Sequence, residues 1–209
     1  MPPAATAERV LHLKPARVHL ALDPKSFDEA KGEMRILWHN EGFLFRQYVP
    51  KGEWDVEVVL VRLSFEKSAI RSTRLDGGLP ILHEHGFGSG MKNVLLGRTS
   101  GWQLEGAAPR RQAVATVRFT KRDDSDVKGV LTDIKDGILG GVSAGLTLHK
   151  LVPTSEAVDG IVVYEAVDWE PFEISFVASP RDPNAQSLSQ TDDSAPCTVL
   201  RLSSDSPAP

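Results

Sequence analysis

Gly140-Gly141-Val142-Ser143-Ala144-Gly145-Leu146-Thr147-Leu148 sets the fold class of this chain. Val142, Ala144, Leu146 and Leu148 fall on one side of an extended backbone, with Ser143, Gly145, Thr147 and His149 on the other. Successive side chains alternate across a strand, so the stretch reads as a strand with one apolar face and one small polar face. The alternation predicts that Ser143 points away from the core, beside a glycine that leaves room for a substrate backbone. Ser143 also reads as a small residue at a glycine-marked bulge.

The same period recurs along the chain. Met34–Trp38 and Gly42–Val49, joined by His39-Asn40-Glu41, predict a hairpin. Asp55–Phe65 is the longest β-branched run, and Val94–Trp102, Ala113–Phe119, Val142–Lys150, Ile161–Val167 and Phe172–Ala178 continue the pattern. One helix stands out. After Asp123, Asp124 and Ser125 come Val127, Val130, Leu131 and Ile134 at helical spacing, and Gly137 supplies a stop. A shorter helix is expected near Ser26–Lys31. Many strands with few helices predict a β-rich α+β fold, a small closed or nearly closed β-barrel with a few surface helices.

The organisation reads as a β-rich N-terminal extension of the main domain over residues 1–50, a main domain over 51–185, and a Ser/Asp/Pro-rich tail over 186–209. The tail is expected to be disordered and dispensable for activity, with Val199-Leu200-Arg201-Leu202 carrying no structural meaning.

Composition narrows the function classes. The 209 residues suffice for one domain with a real core. A formal net charge of −4 with interspersed charges offers no basic stripe to neutralise phosphates, so no nucleic-acid partner is expected. The single cysteine, Cys197, excludes an internal disulfide and fits a reducing compartment. Met1–Ala7 has no signal pattern and no apolar run reaches spanning length, so a soluble intracellular protein with no membrane partner is expected.

Three residue types that make a nucleophilic site are present. Ser143 needs a base and a group to orient that base. His83 and His85 flank Glu84 and project to one side if the run is extended. They read as solvated histidines, as a base, or as an i, i+2 metal pair; no third or fourth ligand accompanies them, and no metal or cofactor is expected. Glu173 sits among Trp169, Pro171, Phe172, Ile174 and Phe176, where a carboxylate requires a partner and an imidazole is a natural one. In Phe172–Ala178 the alternation predicts an apolar face of Phe172, Ile174, Phe176 and Ala178, with Glu173 and Ser175 opposite. Gly141-x-Ser143-x-Gly145 also matches the nucleophile elbow of α/β-hydrolases, but no helix pattern follows and the order here is histidine, serine, acid.

Four blocks together resemble a known family. Pro80-Ile81-Leu82-His83-Glu84-His85-Gly86, Leu96-Gly97-Arg98, Asp136–Leu146, and Phe172–Val177 through Pro183-Asn184-Ala185 are similar to the prohead (capsid maturation) serine proteases of tailed bacteriophages, relatives of herpesvirus assemblin. The resemblance covers about Val56 to Ala185 and makes 51–185 the prohead protease domain. It implies an assemblin-like β-barrel serine endopeptidase that cleaves capsid-protein and scaffold segments, and itself, inside assembling proheads in the cytoplasm of the bacterial host. It implies a homo-oligomer. The catalytic base carries over to His85, the nucleophile to Ser143 and the acid to Glu173, with oxyanion donors near Ser143 or after Arg98. This chain departs from the pattern at His83 and Ala144, which replace apolar residues of the family, and at Gly86, where the family has aspartate. An inactive scaffolding protein with the same fold and an α/β-hydrolase-type esterase are the alternatives.

Overall fold

A computed structural model of the chain describes residues 5–13, 16–21, 26–51, 55–86, 95–178 and 195–202. The elements are β1 (Ala5–Leu13), β2 (Ala16–Ala21), β3 (Phe27–Asp28), β4 (Glu33–Asn40), β5 (Phe45–Pro50), β6 (Val56–Leu63), α1 (Thr73–Asp76), β7 (Pro80–His83), β8 (Leu95–Glu105), β9 (Gln112–Phe119), α2 (Ser125–Lys135), β10 (Gly141–Val158), β11 (Ile161–Val177) and β12 (Ala195–Leu202). The β-rich reading holds. Among the described residues no helix is long and apolar enough to cross a membrane.

The strands form one sheet in the order β1-β12-β10-β11-β7-β8-β9-β4-β3, with β2 added to β10 and the β5–β6 pair added to β11. A closed barrel is not formed: no ladder joins the two ends of this order among the described residues. The sheet nevertheless curls, so that β2, paired with β10, lies against β4. Its axis is the long β10–β11 hairpin. Asp159 and Gly160 make the two-residue turn with φ of 51° and 78°, the left-handed pair that matches strand twist. The Asp-Gly signal was in the sequence, yet the sequence reading ends the first strand at Lys150 and the structure carries it to Val158. β11 holds β10 on one edge and, on the other, β6 and then β7, both parallel to it. That arrangement covers β11 thoroughly, and Ile174 and Phe176 are fully buried.

The principal helix is where the spacing places it. Asp124 Oδ1 accepts the Val127 N–H at 3.0 Å, capping α2, whose Val127, Val130 and Ile134 are buried. Gly137, at φ 74°, ends it and turns the chain toward β10.

Four local expectations fail for physical reasons. The hairpin expected from Met34–Trp38 and Gly42–Val49 does not exist, since β4 pairs with β9 and β5 with β6. Glu41 is pinned instead by Arg111, whose N, Nε and Nη2 donate to its carboxylate at 2.9, 3.0 and 2.6 Å. The helix near Ser26–Lys31 is replaced by β3 and a turn, in which Asp28 Oδ1 accepts the Lys31 N–H at 3.1 Å and the Asp28 carbonyl accepts the Gly32 N–H at 2.8 Å. The disorder expected over 186–209 does not hold for Ala195–Leu202. β12 pairs antiparallel with β1 and parallel with Lys150 and Leu151, and Cys197 and Val199 are buried, so this part of the tail belongs to the core. The rest of that tail lies outside the described residues. His83 and His85 do not share a strand face, because the chain turns sharply between Glu84 and Gly86.

A bulge between Leu37 and His39 breaks the alternation of β4, so the neighbours Trp38 and His39 are both buried. The His39 ring lies against Trp38, Phe43 and Phe65 at centroid distances of 6.5, 5.9 and 5.6 Å. Neither ring nitrogen has a hydrogen-bond partner among the described residues. Burial pushes its pKa down from 6.5 to about 3. The unfolded chain therefore binds a proton that the folded chain refuses throughout that window, so stability falls as pH falls from about 6.5 toward 3. The slope from this group approaches about 1.4 kcal/mol per pH unit. Between pH 6.5 and 5, wild type is expected to lose stability more steeply than His39→Phe in urea titrations; parallel curves would contradict this.

Candidate active site

The turn after β7 is the first part of the site. Glu84, His85 and Gly86 all have left-handed backbones, with φ of 50°, 57° and 69°. Two consecutive non-glycine residues in that region are held only by strong surroundings. Here β11 supplies them. Glu84 Oε1 accepts the Ala178 N–H at 2.7 Å, and the His85 N–H donates to Ser175 Oγ at 3.2 Å.

That turn delivers the His85 ring to Glu173. Nδ1 and Oε1 are 2.6 Å apart, joining residues 88 positions apart in sequence, and both side chains are more than nine-tenths buried. An ionised carboxylate only accepts, so with Glu173 in that form Nδ1 is the donor of this contact and Nε2 is the ring nitrogen left to accept. The second carboxylate oxygen, Oε2, accepts from Ser175 Oγ at 2.6 Å.

Ser143 reaches the same surface through strand register. β10 runs antiparallel to β11 with Ser143 opposite Ser175 and Gly145 opposite Glu173. Directly opposed residues share a face, with Cβ atoms about 5 Å apart. The structure thus brings His85 and Glu173 into contact and places Ser143 on the adjacent strand. It does not hydrogen-bond Ser143 to His85: Ser143 Oγ has no hydrogen-bond partner among the described residues.

Two expectations about Ser143 need correction. The hydroxyl does not face an open side, since Ser143 is fully buried along with Ser175. Nor is Gly145 a gap for substrate. β11 carries one extra residue, Phe172, between the Gly145–Glu173 and Leu146–Pro171 pairs. This bulge folds the Phe172 ring and the Glu173 carboxylate over Gly145, so that a Cβ there would meet Glu173 Oε1 at 2.5 Å and Phe172 Cζ at 2.6 Å. Alternation separates the two faces of a strand but is silent about what covers the second.

The backbone around Ser143 is flanked by β11 on one edge and β2 on the other; after Arg98 the Thr99 N–H donates to the Leu79 carbonyl at 2.9 Å, and Thr99 stands opposite Val117 of β9. Ser143 lies inside a continuous strand, not at a strand-to-helix elbow.

Two residues near the site carried no assignment in the sequence reading. Ser175 shows its signal in the alternation with Glu173. His19 of β2 stands opposite Ser143 in register, and nothing in its local sequence marks it, because the pairing is made across more than a hundred residues. His83 ends β7 opposite Phe176 of β11. Among the described residues no group of three or more His, Cys, Asp or Glu side chains is arranged to hold a metal ion. Comparison with protein-family models, with curated proteins and with solved structures returns no match for this chain.

Proposed function

We propose that the chain is a serine endopeptidase acting by acyl transfer, with Ser143 as nucleophile, His85 as base and Glu173 as the acid that orients it. The observation that carries this reading is the buried 2.6 Å contact between His85 Nδ1 and Glu173 Oε1, on the strand paired with that of Ser143. A buried imidazole and carboxylate in this arrangement leave the distal ring nitrogen basic, which general-base catalysis requires.

In the proposed reaction Ser143 Oγ–H gives its proton to His85 Nε2 while Oγ bonds to a peptide carbonyl carbon. That proton then passes to the departing amine as the C–N bond breaks, leaving an acyl-serine. Water repeats the sequence: its oxygen bonds to the acyl carbon, its proton goes to His85, and Ser143 Oγ regains a proton as the acid product leaves. Glu173 stays ionised throughout and stabilises the imidazolium.

The sequence blocks extend the proposal to capsid-protein and scaffold segments as substrates during phage prohead maturation, to self-cleavage, and to a homo-oligomer acting in assembling proheads within the bacterial host. The curled, open sheet with β2 against β4 is what we take as the counterpart of the small assemblin-like barrel.

A second reading, an inactive assembly protein with the same fold, draws on the burial of Ser143 and its unpartnered hydroxyl. A fluorophosphonate probe separates the two. The peptidase reading expects covalent labelling of wild type that disappears in Ser143→Ala. An unlabelled wild type, tested with capsid protein and scaffold present, would overturn it in favour of the assembly protein.

A further inference from the structure

Among the residues whose burial is described, Ser175 is the one buried polar residue beside the proposed triad to which the reaction assigns no step. It is fully buried near the C-terminal end of β11. Its hydroxyl makes two hydrogen bonds of opposite sense, donating to Glu173 Oε2 at 2.6 Å and accepting the His85 backbone N–H at 3.2 Å. An apolar residue would pack at such a site without the need to satisfy a hydroxyl. The serine therefore ties two separate parts together: the carboxylate two residues before it on its own strand, and a left-handed turn 90 residues upstream.

We infer that Ser175 is a positioning residue that sets the geometry of the His85–Glu173 pair; this rests on the peptidase reading above. Its hydroxyl proton occupies Glu173 Oε2, so the carboxylate cannot rotate away and Oε1 stays aimed at His85 Nδ1. Its oxygen lone pair holds the His85 backbone at φ 57°, a conformation that costs free energy when unsupported. The two bonds act on the same ring from both ends, through its backbone and through its partner. Because Ser175 also stands opposite Ser143 in register, it fixes the distance between the imidazole's turn and the nucleophile's strand.

The physical consequence is specific. Removing the hydroxyl leaves the carboxylate one hydrogen bond short and the His85 amide unsatisfied, while the fold's apolar contacts remain. A hydrogen bond to a charged group is strong enough that kcat is expected to fall about 10- to 100-fold in Ser175→Ala. KM is expected to stay near wild type, because the proposed reaction gives Ser175 no contact with substrate. Ser175→Thr keeps the hydroxyl and is expected to retain more activity than Ser175→Ala.

The test has two readouts on the folded full-length chain. The first is the kcat and KM of peptide cleavage for wild type, Ser175→Ala and Ser175→Thr. The second needs no activity: the proton resonance of His85 Nδ1–H, assigned by its loss in His85→Ala. In wild type the short contact with Glu173 predicts a downfield, slowly exchanging signal, and Ser175→Ala is expected to move it upfield or broaden it. A labelled, active wild type whose kcat and His85 resonance are both unchanged in Ser175→Ala overturns the positioning role and leaves the peptidase reading standing. A wild type that never labels, with a resonance that does shift in Ser175→Ala, overturns the peptidase reading and retains Ser175 as the residue that holds the pair.

Discussion

Ser143→Ala and His85→Ala, each co-expressed with the capsid protein, are expected to leave that protein untrimmed, with cleavage reduced roughly 10⁴- to 10⁶-fold. The two variants should be about equally defective and their effects should not add, because nucleophile and base act as one unit. Glu173→Gln is expected to lose about 10⁴-fold, since an amide in place of the carboxylate no longer holds the Nδ1–H tautomer. Gel analysis of capsid protein from the three co-expressions checks this. Trimmed product from both Ser143→Ala and His85→Ala would mean that the chemistry lies elsewhere.

Gly145→Ala is expected to damage both the fold and the site. The added methyl group would stand 2.5 Å from Glu173 Oε1 and 2.6–2.7 Å from the edge of the Phe172 ring, so one or both must move. Inserting a methyl group into such close packing costs about 1–3 kcal/mol. For a chain of this size that corresponds to a melting temperature lower by roughly 2–10 °C. Displacing the carboxylate also removes the His85 contact, and a shift of about 1 Å at a catalytic group costs on the order of 100-fold in rate. A thermal melt by circular dichroism and a cleavage assay test the two halves separately. An unchanged melt together with full activity would show that Phe172 and Glu173 do not close over this glycine.

Glu173 could be picked out from its apolar setting and Ser143 from the glycines around it, whereas His85 was chosen over His83 by the family resemblance. A carboxylate amid Trp169, Pro171, Phe172, Ile174 and Phe176 needs a partner, and the partner is indeed an imidazole. The crowding over Gly145 could not be seen. It depends on a single extra residue in β11, and the bulge position is decided by pairing between strands, not by either strand's own pattern. The same limit explains the missed His19, which faces Ser143 only through the β2–β10 ladder.

The tail shows the other side of the limit. A Ser/Asp/Pro-rich composition argues for disorder when read as an average, but Cys197 and Val199 alternate and are buried between β1 and β10. A short apolar alternation inside a polar segment gains its stability from the edge it joins. That edge is set by strands far away in sequence.

Taken alone, the order of residues determined most of the strands, the capped helix α2, and the chemical types that the proposed acyl transfer calls for, since periodicity, capping and chemical type are local properties. Only the tertiary structure decided that the sheet stays open, that β4 joins β9 in place of β5, that β12 completes the core, and that Ser143 is shut away while His85 meets Glu173. The reason is physical: a strand's sequence says which of its faces is apolar, but its neighbours, register and bulges are chosen by competition among all the edges of the sheet at once.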